Sequence, residues 1–192
     1  MKYHKKSRGF TIPEIIITLG IIAIVLSTAV PSISSMIKDN RLASQLNSVV
    51  THIHVARAEA AKRDVRVIMC RSSSPNAITP SCGGTEKVWT DGYLVFADDG
   101  NYSNNWYNPG TDTLLIRGQP APSGIKMRTS SAWNNNLEFN PGGSTNEGGA
   151  VAMMSLCDNR GSDNGRQIQV GPNGMPKMFS GNISCYPDPD PD

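Results

Sequence analysis

Apolar residues follow three patterns along the chain, and each predicts a different element. Met1 to Gly9 is polar and basic. Phe10 to Val30 then reads FTIPEIIITLGIIAIVLSTAV, 21 residues that are almost wholly apolar. As a helix this run is about 31 Å long, which matches a bilayer core of about 30 Å. From Asn40 onward the apolar residues thin out into a stripe: Leu42, Leu46, Val49, Ile53, Ala56 and Ala60. The spacing alternates between four and three, which places them on one face of a helix. Arg41, Arg57, Glu59, Lys62 and Arg63 fall on the other faces. One continuous helix is therefore predicted from Phe10 to about Lys62.

Beyond Arg63 the pattern becomes that of β structure. Short apolar runs occur at Val65–Cys70, Val88–Phe96, Thr113–Ile116, Ile125–Arg128, Leu137–Phe139, Val151–Cys157 and Gln167–Val170. Turn residues separate them, among them Pro120, Gly124, Pro141-Gly142-Gly143 and Pro172-Asn173-Gly174. Several short strands at this spacing predict antiparallel sheet. The expected class is α+β, a long helix packed on an antiparallel β-sheet head. The expected partition is a basic leader over 1–9, a hydrophobic transmembrane helix over 10–33, its amphipathic continuation over 34–63, a β-rich head over 64–186 and an acidic tail over 187–192.

Charge sharpens this outline. Four of the 18 basic residues, Lys2, Lys5, Lys6 and Arg8, precede the apolar run, leaving 14 basic against 16 acidic residues in the rest. Basic residues directly before the span predict a cytoplasmic N-terminus and an exported head. The rest of the chain has no overall basic field to attract nucleic acid. The four cysteines, Cys70, Cys82, Cys157 and Cys185, contain no CxxC pair, so no zinc site is expected. In an exported domain they predict disulfides. Of the three possible pairings, the local ones, Cys70–Cys82 and Cys157–Cys185, are favoured, and the others stay open.

Glu14 stands out within the apolar run. A carboxylate in hydrocarbon is costly, by about 2.5–3.5 kcal/mol or more at the centre of a span, so it requires a partner. A secretory signal peptide would have a shorter apolar core followed by its cleavage site. Here a glycine closes the basic region before the apolar run begins.

Gly9-Phe10-Thr11-Ile12-Pro13-Glu14 resembles the prepilin peptidase motif of type IV pilins and type II secretion pseudopilins. The resemblance implies that the leader is cut between Gly9 and Phe10 and that Phe10 is N-methylated. Glu14 then becomes the fifth mature residue and pairs with the N-terminal amine of a neighbouring subunit during assembly. Pro31 matches the family's helix-kinking proline. Pro13 departs from the usual aliphatic residue, but proline is tolerated in a first helical turn.

Ala56–Arg63, Val67–Cys70 with Arg71-Ser72, Trp89–Phe96, Leu156–Gly161 and Arg166-Gln167-Ile168 are similar to the GspH/FimT group. That similarity implies a minor pilin, which helps initiate or cap a type IV pilus, or a minor pseudopilin of a type II secretion system. The implied partners are the prepilin peptidase, other minor and major pilins or pseudopilins, and the inner membrane before assembly. The implied location is a single-pass inner-membrane protein with a periplasmic head, later part of a pilus or pseudopilus. One member type of this group binds DNA during natural transformation through a basic Gly-Arg-x-Arg motif, so the similarity also implies a third reading, a DNA-binding minor pilin for natural transformation. Here the corresponding Gly174-Met175-Pro176-Lys177 keeps only the glycine and a cation. Arg160, Arg166 and Lys177 are the candidate DNA contacts, and DNA is not the favoured partner.

The remaining patterns are weaker. Asp98, Asp99, Asn101 and Asp112 could offer oxygens to calcium, but a polar hairpin loop explains them equally well. His52 and His54 are two apart and share no helix face. Trp89, Trp106 and Trp133 are expected on the core or a sheet face. No catalytic, phosphate-binding or metal-ligand motif is present. No enzyme activity and no cofactor are expected.

Overall fold

The computed structural model describes residues 9–100, 105–133, 135–145 and 149–185. The basic leader before Gly9, Asn101 of the candidate calcium group and the acidic tail over 187–192 lie outside these residues. One helix, α1 (Ile12–Arg63), is followed by eight strands: β1 (Val67–Arg71), β2 (Tyr93–Ala97), β3 (Thr113–Gly118), β4 (Lys126–Thr129), β5 (Asn136–Phe139), β6 (Ala152–Cys157), β7 (Arg166–Val170) and β8 (Pro176–Ser180). Helix α1 stops where Asp64 enters the left-handed region at φ 56°, a common way for a helix to end.

The chain divides into two compact units, residues 1–39 and 40–192. In the first, the apolar side chains are exposed: Ile16, Ile24 and Val30 each show 60% or more of their surface. This stretch is long and apolar enough to cross a membrane.

The second unit holds the core. Leu42, Leu46, Val49, Ile53, Ala56 and Ala60 are all buried, as the stripe predicts. They pack with residues from both of two four-stranded antiparallel sheets, ordered β3-β2-β1-β5 and β4-β6-β7-β8. The head thus contains two sheets where the sequence pattern suggested one. The inner face of the first sheet supplies Val67, Met69, Val95, Leu137 and Phe139, and the second supplies Met127, Met154, Leu156, Ile168 and Val170. Trp89 and Trp133 are also fully buried and meet edge to face at 5.7 Å. Burying each large aliphatic side chain stabilises the fold by about 1.5–3 kcal/mol.

Strands β1 and β2 are buried on both faces, which explains their unbroken apolar runs. Their outer side chains Ile68, Cys70, Leu94 and Phe96 form a second, smaller core with Cys82. The Cys70–Cys82 disulfide pins the covering segment there, and Cys157–Cys185 ties the C-terminal segment to β6. Both favoured pairings are therefore present.

The strand limits differ from the sequence pattern in two places. The run Val88–Phe96 is broken by a turn, in which the Gly92 amide donates to the Trp89 carbonyl at 3.1 Å and Gly92 has φ 121°. Only Tyr93–Ala97 continues as strand. Strand β8 carries no alternating apolar signal because it is an exposed edge that begins with proline, a position where proline is tolerated.

His52 is half-buried on α1. Its Nδ1 lies 2.7 Å from the Tyr93 hydroxyl. Burial lowers the His52 pKa below its usual 6.5 and raises that of Tyr93. Folding therefore favours the neutral form of His52 relative to the unfolded chain. Its stability contribution is complete above pH 6.5 and is lost as pH falls from there through the lower folded-state pKa. The fall in melting temperature across this range is expected to shrink in His52→Gln. In the core, Ile53→Ala is expected to cost about 2–5 kcal/mol, read by urea denaturation of the mature chain.

Candidate functional site

The residues singled out by the sequence fall into two regions. The first is the start of α1. The Thr11 carbonyl accepts the Ile15 amide at 3.2 Å, opening the helix. Pro13 sits in the first turn, where a missing N–H leaves no helical bond unmade. Glu14 follows it, and its Oε2 lies 3.5 Å from the Thr11 amide that it accepts. A carboxylate is favoured at a helix N-terminus, where unsatisfied amides carry partial positive charge. Around it, Phe10, Ile12, Ile15, Ile16 and Ile17 are exposed and apolar. Among the described residues Glu14 has no cationic partner. Helix α1 runs on through Pro31.

The second region is the C-terminal half of the head, where Arg160, Arg166 and Lys177 lie. The structure does not bring these cations together. The Arg160 guanidinium grips Asp158, with Nη2 at 2.7 Å from Oδ2, so its charge is already compensated. Arg166 pairs in register with Leu156 and Ser180, whereas Lys177 pairs with Gln169. Three positions along a strand place the two about 10 Å apart and on opposite faces. The Arg166 Nε is buried without a hydrogen-bond partner among the described residues.

Gly174 has a structural reason to be glycine. It adopts φ 71°, and a Cβ there would collide with the Gly143 carbonyl. Arg57 closes the same spot from α1: its Nε donates to the Gly143 and Asn173 carbonyls at 3.2 and 3.3 Å. The partners of Arg57 are 86 and 116 residues away, and no local pattern announces such a bond.

The acidic group considered for calcium is used within the fold. Asp98 pairs with Arg66, which also reaches Glu138 at 3.4 Å. Asp112 accepts the Asn108 amide at 2.7 Å, and Asp99 accepts the Thr113 hydroxyl. The sequence read Asp98 as a turn residue and missed this buried ionic cluster.

Comparison with known proteins gives these features a family. Residues 45–174 match the family described as type II transport protein GspH, and residues 4–30 match the prokaryotic N-terminal methylation motif. The chain belongs to the GspH family. A pilin-like protein, PilA1 of Thermus thermophilus, is 30% identical over 141 residues, covering 71% of this chain and 78% of that protein. Two crystal structures of the type IV minor pilin FimU of Pseudomonas aeruginosa share the fold at 17% identity. Their TM-scores are 0.58 and 0.55, and they cover 78% and 76% of this chain. The two matches cover different parts of the chain. The methylation motif spans the start of α1, and the family match spans the core-forming half of α1 and the head through Gly174. Proteins of the pilin family are structural, are processed by a prepilin peptidase through this motif and associate with other pilins.

Gly174→Ala is expected to destabilise the head by about 1–3 kcal/mol or more, because it combines backbone strain with a collision. Lys177→Ala should stay within about 0.5 kcal/mol of the parent. Thermal melts of the two variants measure the difference.

Proposed function

We infer that this chain is a minor pilin that helps initiate or cap a type IV pilus. The observation that carries this reading is the Glu14 carboxylate, set among exposed isoleucines with no cation to meet it among the described residues. A charge in such surroundings is tolerated when an opposite charge comes to it. Cleavage between Gly9 and Phe10 would create that charge as a free α-amine on every subunit, and N-methylation of Phe10 leaves the amine cationic. The amine of one subunit then pairs with Glu14 of the next. Before assembly, residues 10–33 anchor the chain once in the inner membrane with the head in the periplasm. Pro31 adjusts the direction of the helix within the filament.

Membership of the GspH family and the fold shared with FimU support a minor subunit. The family description, a type II transport protein, favours a second reading on the same residues: a minor pseudopilin of a type II secretion system. A deletion strain separates the two, since loss of twitching marks the pilus and loss of enzyme secretion marks the secretion system.

Intact-mass analysis of the protein from membranes of its native host tests the shared mechanism. The expected chain begins at Phe10 and is heavier by one methyl group. A chain that retains residues 1–9, or is cut beyond the apolar run, removes the mechanism. In Glu14→Ala, processing is expected to persist while incorporation into filaments falls sharply, as measured by immunoblots of sheared filaments.

A further inference from the structure

A cavity of about 420 Å³ opens beside the Cys70–Cys82 disulfide, lined in part by Arg71, Trp106, Asn135 and Asn136. It lies on the far side of the first sheet from the main core, next to the small outer core that the disulfide pins. Its volume is within the range of small-ligand sites.

Arg71 is 93% buried, with only 7% of its surface exposed. Among the described residues its one side-chain hydrogen bond runs from Nε to the neutral Asn135 Oδ1, at 2.8 Å. The Nη1 is enclosed without a partner. No carboxylate reaches ion-pairing distance among the described residues. Burial lowers the Arg71 pKa, and the more distant Glu86 opposes the shift only in part. A buried guanidinium is ordinarily paired, because taking a charge from water without compensation is costly. The contrast with Arg66 is internal to this head: Arg66 is similarly buried but engages both Asp98 and Glu138. Arg71 therefore has the electrostatic requirements of a site for an anion.

The rest of the lining narrows the ligand. One cation matches one negative charge, as on a carboxylate, better than the near-double charge of a phosphate. Among the described residues the Asn135 Nδ2 donor and the Asn136 Oδ1 acceptor make no hydrogen bond, the other ends of these amides being used by Arg71 and Glu138. A donor beside an acceptor suits hydroxyl groups, which act as both. Trp106 lines the cavity and is 51% exposed overall, and an indole can pack against the C–H face of a sugar ring.

We propose that this cavity binds a carboxylate-bearing sugar, a hexuronic acid, with Arg71 contacting the carboxylate and Trp106 packing against the ring. The site does not depend on how the chain enters a filament.

Calorimetry of the mature full-length chain in detergent micelles tests it, with galacturonate, glucose and acetate as probes. Galacturonate is expected to bind with a dissociation constant on the order of 1 mM. Glucose, which lacks the carboxylate, and acetate, which lacks the ring, should each bind at least about tenfold more weakly. Arg71→Gln and Trp106→Ala should each weaken galacturonate about tenfold. Trp106→Ala is the safer variant for folding because that side chain is half-exposed, and circular dichroism checks both. Tighter binding of trigalacturonate than of the monomer identifies a polysaccharide end as the source. Equal binding identifies the free sugar acid, and both results support the site. Absence of galacturonate binding overturns the proposal. So does binding of glucose or acetate as tight as galacturonate, or undiminished binding in a folded Trp106→Ala variant.

Discussion

The head depends on one contact: the apolar stripe on the second half of α1 against the inner faces of two sheets. Leu42, Leu46, Val49, Ile53, Ala56 and Ala60 are almost entirely withdrawn from solvent. The stripe is wide enough to serve both sheets because its positions alternate four and three apart and so stay on one face over more than five turns. The alanines at 56 and 60 sit near the C-terminal end, where small side chains let other groups approach closely. The indoles of Trp89 and Trp133 belong to the same core.

Polar groups settle how the pieces sit on that core. Arg57 reaches from the helix to two distant loop carbonyls, and Gly174 lets those loops meet. Arg66, at the start of the β region, gathers Asp98 from the end of β2 and Glu138 from β5. Removing one member of such a cluster leaves another charge buried without compensation, so the cluster acts as a unit. These contacts add specificity of register to a hydrophobic contact that is non-directional.

What could be read from the sequence follows from the range of the interactions involved. The helix, its buried face and seven of the eight strands were legible because burial leaves a periodic trace in neighbouring residues. The methylation motif at the start of α1 was legible because its pattern is contained in consecutive residues, Gly9 to Glu14. Strand β8 left no such trace, since an exposed edge needs no alternation. The contacts of Arg57 and Arg66 were illegible because their partners are set by tertiary structure. The same limit applies to Arg160, Arg166 and Lys177. They are close enough in sequence to suggest a cluster, but strand register separates Arg166 from Lys177 and Asp158 compensates Arg160.

The placement of the two disulfides bears on the order in which the head can be made. Each bridge links residues close in sequence, 12 and 28 apart, and each secures a segment outside the main core. A short covalent loop removes relatively little disorder from the unfolded chain, about 3 kcal/mol for a 15-residue loop. The strand order and the helix contact involve no bridge across the core. Collapse can thus come first and oxidation last, with the bridges acting as latches on the outer layers. In an oxidising compartment the architecture of the head therefore does not have to wait for its thiols to react.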